Sequence, residues 1–436
     1  MNKLSEFIRE YDSNGFLRLH TPGHQARCDF INRISPNFDI TEIGGSDSLY
    51  HSDGVIKDLE DEISELYQAH SVISASGSTL CIQTMISLFR NRAFVAMRSS
   101  HIAFYNVCAL LDIQPEWIRV SEGGLYKNIP EPCDVEKVLA KIKKPAAVYI
   151  TSPNYYGIRA NIKGISEVCK KYDAVLIVDN AHGAHLKFTT VDEHPIALGA
   201  DICCDSFHKT LPTLTGAAVL HSKLGLFDQE EIKYNMSMFG STSPSYLIMD
   251  SIGLCVDWLK AEGWKRFKQL EERKKDLVEN LSLNILKTDC SKITIDCLNV
   301  NNGAFGVRAL LRQHKIEPEY TDSRYVTLIV SPFLSDMDWD RLRKCLEKIE
   351  TVENYRSSFE IGKLPIPNVK LSLSKAFRSQ LQQIDVKHSV GRICGKSQWI
   401  CPPGIPIVAA GELITDDIAD LLMKNDVKFV CVIKDL

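Results

Sequence analysis

Three short stretches carry side chains whose types and spacing can do chemistry. The first is ASGST at 75–79, a small-residue turn between a strand-like VISAS and a helical stretch. Such a turn leaves backbone N–H groups free at a helix N-terminus, so Gly77, Ser78 and Thr79 form a cradle suited to a phosphate. The second is IVDNAHGAH at 177–185, in which an apolar run ends in Asp179. A carboxylate on a crevice floor is costly unless a cation pairs with it. The third, DSFHKT at 205–210, puts Lys209 after another strand, where a desolvated amine loses pKa and becomes nucleophilic. Taken singly, each has a plain structural reading: a Ser or Thr N-cap, a rim charge, an Asp179–Lys209 salt bridge.

Taken together they match one cofactor. An anion site, an acid for a pyridine nitrogen and, 30 residues after that acid, a Schiff-base lysine are the needs of pyridoxal 5′-phosphate. His101, after the apolar run AFVAM, adds an imidazole able to stack on the pyridine ring; alone it reads as a helix cap or a core histidine. HTPGH at 20–24 and HGAH at 182–185 hold closely spaced histidines, but no acidic or thiol cluster completes either at zinc-like spacing, so no metal site is expected.

These residues need a scaffold that brings strand ends together. From Val72 onward, short apolar runs alternate with helical stretches: VISAS, a helix at 78–89, AFVAM at 93–97, a helix from about His101, WIRV at 117–120, a helix at 134–143, AAVYI at 146–150, a helix at 164–172, AVLIV at 174–178, and strands near 202–205 and 217–220. That alternation predicts a mostly parallel sheet covered by helices on both faces, a doubly wound α/β domain whose strand ends line a ligand crevice. Residues 1–54 read as an N-terminal arm rich in loop signals and 55–285 as the large domain, with a long helical stretch over about 245–282 leading out of it. Residues 286–436 read as a smaller α+β domain, with a distinct segment from about 370.

Composition excludes other classes. The net charge of −4 disfavours nucleic acid or an anionic membrane as partner, and the longest apolar runs fall far short of a membrane span. The 14 cysteines are scattered without a C-x-x-C and read as reduced thiols; with no signal-peptide core at the start, the chain reads as cytoplasmic.

At this point the chain resembles the bacterial-type ornithine/lysine/arginine decarboxylases, fold-type I pyridoxal-phosphate enzymes. The motifs follow the family's order: HTPGH, DITEIGGSDSL at 39–49, GVIKDLEDEISELY at 54–67, SASGST at 74–79, RSSH at 98–101, SPNYYG at 152–157, VDNAHGAH at 178–185, SFHKTLPTLTGAAVLH at 206–221, STSPSY at 241–246, VGRI at 390–393, CPPGIP at 401–406 and AAGE at 409–412. The resemblance implies an aspartate-aminotransferase-like large domain and decarboxylation of lysine, arginine or ornithine to a diamine or agmatine, a reaction of polyamine biosynthesis. It implies that the substrate amine displaces Lys209 from the cofactor, that Asp179 pairs with the ring nitrogen and that His101 stacks on the ring. Lys209 or His208 would return the proton. Gly77, Ser78, Thr79, Ser206 and His208 would hold the phosphate, and His182 the hydroxyl side. Ser241 and Thr242 would come from the neighbouring subunit of a homodimer or larger homo-oligomer. Ser76, Ser48, Phe207 and Cys401 depart from the family's usual residues and put the substrate surroundings, more than the cofactor, in question. The rivals are another carbanion reaction of the same cofactor, such as an aminotransferase or aldolase-like lyase, and a weakly active regulatory paralogue. A basic side chain needs an acid near its distal cation. Asp47 is the first choice, with Glu42 and Glu412 beside it.

Overall fold

Successive residues of a strand point to opposite faces of a sheet, and the central strands of this chain are apolar at both parities. Phe94, Ala96, Tyr149, Ile177 and Ile202 join one buried cluster, while Val95, Met97, Val148, Ile150, Leu176 and Val178 join another. Such strands need cover on both sides. The computed structural model describes residues 2–120, 129–352, 368–400 and 405–434, and supplies that cover.

After a helix at Lys3–Ser13 comes a short strand, β1 (Leu17–Leu19). The large sheet follows: β2 (His70–Ser74), β3 (Ala93–Met97), β4 (Glu116–Ile118), β5 (Ala146–Thr151), β6 (Val175–Asp179), β7 (Ile202–Asp205) and β8 (Ala218–Ser222). Its order is β2-β8-β7-β6-β5-β3-β4, with only β8 antiparallel to its neighbours. Helices Gly77–Leu88 and Ile102–Leu110 pack on one face through Leu80, Ile82, Phe104 and Val107. Helices Pro132–Leu139 and Ile162–Lys171 pack on the other through Val135, Leu139, Ile162 and Ile165. The expected mostly parallel, doubly wound sheet is present.

The long helical stretch expected at 245–282 is present, as helices Tyr246–Trp258 and Trp264–Glu279 running into each other through a π turn at Leu259–Gly263. The wider turn shifts the register while Leu259 and Phe267 both stay buried. Beyond it, β9 (Lys292–Asp296) and β10 (Ile316–Pro318) precede β11 (Tyr320–Thr321) and β12 (Tyr325–Ile329). Strands β11, β12 and β9 form an antiparallel sheet, and β10 pairs in parallel with β1, so the arm is tied to the second half of the chain. Four last strands, β13 (Leu381–Asp385), β14 (Gln398–Ile400), β15 (Ile405–Val408) and β16 (Phe429–Ile433), make two antiparallel pairs, β13 with β16 and β14 with β15, beside their own apolar cluster.

One buried ion pair joins this last segment to the large sheet. Arg98, just after β3, grips Glu412 with both terminal nitrogens, Nη2 to Oε2 at 2.6 Å, and the two side chains are 7% and 2% exposed. Removing one partner strands a charge in low dielectric. Arg98→Ala is therefore expected to cost about 3–5 kcal/mol in urea unfolding and to release residues 368–434 to limited proteolysis. Unchanged unfolding would show that the pair carries none of the docking.

Candidate active site

The carboxyl ends of β2, β3, β5, β6 and β7 lie along one edge of the sheet, and each contributes side chains there. After β2 the chain enters its helix through Gly77, whose φ of +70° suits glycine, and Ser76 at the N-cap makes no side-chain capping bond among the described residues. Ser78 is buried, Thr79 is exposed, and the buried Ser206 hydroxyl from after β7 donates to Ser78 Oγ at 2.7 Å. Two hydroxyls and an uncapped helix start thus share one place, the donor set an anion needs.

Asp179 ends β6 and is 2% exposed. Its carboxylate accepts from the Tyr149 hydroxyl at 3.1 Å and from the Ala181 N–H at 3.1 Å. Three residues on, His182 turns back so that Nε2 lies 3.1 Å from Lys209 Nζ. Burial lowers the Lys209 pKa below that of a free lysine, against the pull of Asp179 and Glu319. Burial likewise pushes His182 well down, with Lys209 and Lys292 adding to it. His101 caps its helix by accepting from the Ala103 N–H at 3.2 Å; it stands open to solvent in a cleft whose burial lowers its pKa, opposed by Asp179 and reinforced by Lys209. His208 sets Nδ1 2.8 Å from the Ala217 carbonyl, and burial takes its pKa down to about 4.

HTPGH is a clamp on the lysine turn. The Gly23 N–H donates to the His208 carbonyl at 2.8 Å, and a Cβ on Gly23 would sit 2.7 Å from the Leu211 carbonyl oxygen, so only glycine fits. The paired histidines have separate partners: His20 meets Tyr11 and the Thr21 carbonyl, His24 accepts from the Ala26 N–H, and His185 lies 3.0 Å from Asp289. A His194–Asp205–His221 cluster is wholly buried behind β7.

The acids expected near substrate are placed elsewhere. Asp47 accepts from the backbone N–H groups of Ser48, Asp53, Gly54, Ile56 and Lys57, capping the helix Val55–Tyr67. Desolvation would raise its pKa, but those N–H groups hold it below the usual carboxylate range. Glu412 is committed to Arg98 and the Ala409 N–H. Glu42 is exposed and accepts from the Thr41 hydroxyl. Ser241 and Thr242 are exposed on this chain. Phe207, read as part of the substrate surroundings, is instead fully buried in the core against Tyr67, because it starts a helical turn whose other side carries His208 and Lys209. Ser48 donates its N–H to Asp47 and Ser76 is exposed; Cys401 lies outside the described residues.

Residues 8–281 match the family model for the Orn/Lys/Arg decarboxylase major domain. The chain belongs to the Orn/Lys/Arg decarboxylase family. It is 27% identical to an arginine decarboxylase of Halalkalibacterium halodurans, over 94% of this chain and 90% of that one. Its fold is that of a lysine decarboxylase from Francisella novicida, with a TM-score of 0.76 at 17% identity over 99% of this chain and 84% of that one. A serine palmitoyltransferase of Sphingomonas wittichii has a TM-score of 0.56 at 17% identity over 76% of this chain and 86% of that one, placing the family member among fold-type I enzymes. The cofactor of this family member is pyridoxal 5′-phosphate, and the anion cradle, buried Asp179 and Lys209 on one sheet edge fit it.

Three site residues escaped the sequence reading. Lys292 opens β9 and is fully buried, reaching His182 Nδ1 at 3.0 Å. The Tyr155 hydroxyl donates to Glu319 Oε1 at 2.6 Å, and the Thr21 N–H donates to Oε2 of the same carboxylate at 2.8 Å. No local signal marked Lys292: in KITID the polar Lys292, Thr294 and Asp296 alternate with Ile293 and Ile295, the ordinary pattern of a half-buried strand.

His208 offers a stability test. An unfolded histidine titrates near 6.5, so between pH 6.5 and 4 the unfolded state binds more protons and stability falls as the pH drops. His208 is expected to account for up to about 3 kcal/mol of that loss, present above pH 6.5 and gone below 4. Urea unfolding of His208→Asn should be flatter across this window than the parent protein; parallel curves would refute the assignment.

Proposed function

We propose that this protein removes the α-carboxylate of a basic amino acid as CO2, giving agmatine from arginine or a diamine from lysine or ornithine. The observation that carries the reading is the meeting, on one sheet edge of a family member, of Lys209 against His182, the buried Asp179 and the Ser78–Ser206 cradle. Arginine leads the three substrates, because the relative aligned along nearly the whole chain is named an arginine decarboxylase.

Bound pyridoxal 5′-phosphate supplies the sink for the electron pair left when CO2 departs. Asp179 holds the proton on the ring nitrogen that makes the sink effective, and Tyr149 keeps that carboxylate oriented. Gly77, Ser78, Thr79, Ser206 and His208 would hold its phosphate, His101 would stack on its ring, and His182 would meet its hydroxyl side. Lys209 would give way to the substrate amine, and Lys209 or His208 would return a proton to the carbon that loses CO2. The net reaction consumes one proton per turnover.

The active unit is a homodimer or larger. Leu4, Phe7 and Ile8 expose an apolar face on the first helix, and the exposed Ser241 and Thr242 would reach a partner's phosphate. Of the acids expected to meet the distal cation, Glu42 on the arm keeps its carboxylate open, whereas Asp47 and Glu412 are occupied. The reaction belongs to polyamine biosynthesis in the cytoplasm.

Incubation with arginine, lysine and ornithine should yield CO2 and the matching amine from at least one of them, and nothing from neutral amino acids. Lys209→Ala should abolish product. Asp179→Asn should lower kcat by a factor of about 10² or more while the fold persists. Formation of a keto acid in place of CO2 would turn the reading to an aminotransferase.

A further inference from the structure

His182 stands between two lysines. Its Nε2 lies 3.1 Å from Lys209 Nζ and its Nδ1 lies 3.0 Å from Lys292 Nζ. A neutral imidazole carries one proton, so it donates on one side and accepts on the other. Lys292 decides which. It is fully buried, and besides His182 Nδ1 its nitrogen faces the Asn154 carbonyl at 3.2 Å and the Tyr155 carbonyl at 2.9 Å. Two carbonyl oxygens held against one buried nitrogen favour its charged form, and an ammonium there has one N–H for each carbonyl and a third for Nδ1. Nδ1 therefore accepts, and the ring proton sits on Nε2, aimed at Lys209. A donor aimed at Lys209 is satisfied only if that nitrogen presents a lone pair.

We propose that Lys292 is a positioning residue that fixes His182 in its Nε2-protonated tautomer and so holds Lys209 as the free amine that attacks a carbonyl. This rests on the reading of Lys209 as the cofactor lysine. The surroundings agree with the assignment. Burial lowers the Lys292 pKa to about 8, with Asp289 opposing it, Lys209 adding to it and Glu319 opposing it, so the ammonium persists at neutral pH. Around Lys209, burial, Asp179, Glu319 and Cys204 set the balance, with the histidines 101, 182 and 208 beside it. The Tyr155 ring stands edge-on to His182 at 5.2 Å between centroids and limits its rotation. The lysine comes from β9 and the histidine from the turn after β6, so the tautomer depends on how these two parts of the chain pack.

The test is the nitrogen NMR spectrum of the full-length, cofactor-free protein labelled with ¹⁵N-histidine, with His182→Asn used to assign the signal. At pH 7, His182 is expected with the proton on Nε2 and a bare Nδ1; a proton on Nδ1 overturns the proposal. Lys292→Met should abolish the preference. It should also move upward, by roughly one unit, the pH midpoint at which Lys209 captures pyridoxal phosphate, read as the adduct trapped with borohydride. Lys292→Arg, which keeps the charge and donors, should keep the parent tautomer. An unchanged capture profile in folded Lys292→Met refutes the proposal, and the parent spectrum decides if that variant does not fold. Failure of the parent protein to label at Lys209 would instead refute the cofactor-lysine reading, whatever the tautomer.

Discussion

The site depends on a carboxylate held by hydrogen bonds at the buried end of a strand. A buried carboxylate is costly unless donors meet its oxygens. Asp179 is supplied with a hydroxyl from Tyr149 on the neighbouring strand and an N–H from the turn that follows it. Both donors exist only in one register: β5 pairs with β6 so that Thr151 faces Asp179, and β6 pairs with β7 so that Asp179 faces Cys204. A slip by one residue would turn Asp179 to the opposite face of the sheet.

The lysine turn is held from behind by a second carboxylate. Asp205, at the end of β7, is fully buried between His194 and His221, and Asn180 donates to it at 2.6 Å. Burial alone would raise its pKa, but the two imidazoles outweigh that and hold it well below the usual range. His221 in turn is bonded to Ser71 at 2.9 Å and stacks on Tyr67 at 4.2 Å. This network joins β2, β7 and β8 next to Ser206, so the Ser78 and Ser206 hydroxyls and Lys209 share one rigid foundation.

The arm closes the arrangement from the front. Gly23 bonds the turn carrying His208, Thr21 bonds Glu319, and Gln25 donates to the Ile329 carbonyl at 2.8 Å. Five consecutive residues therefore bridge the large sheet and the β9–β12 sheet that delivers Lys292. A motif that reads on paper as a pair of histidines acts mainly through its backbone.

What the sequence determined was everything with a local cause. Alternating apolar runs defined the strands of the large sheet, and AFVAM at Ala93–Met97 appears where its pattern put it. Strand ends bearing Ser, Asp and Lys marked the residues that gather on one sheet edge, because polar groups there have no other reason to interrupt an apolar run. The roles of Asp47 and Glu412 were not legible, since a carboxylate that caps a helix and one that pairs across 314 positions look alike in a string of letters. Lys292 and Glu319 were missed for the same reason. Their partners lie 110 and 298 residues away in the chain, and a long-range hydrogen bond leaves no periodicity to read. Only the tertiary structure decided which buried charges meet, because a charge's energy is set by its neighbours in space.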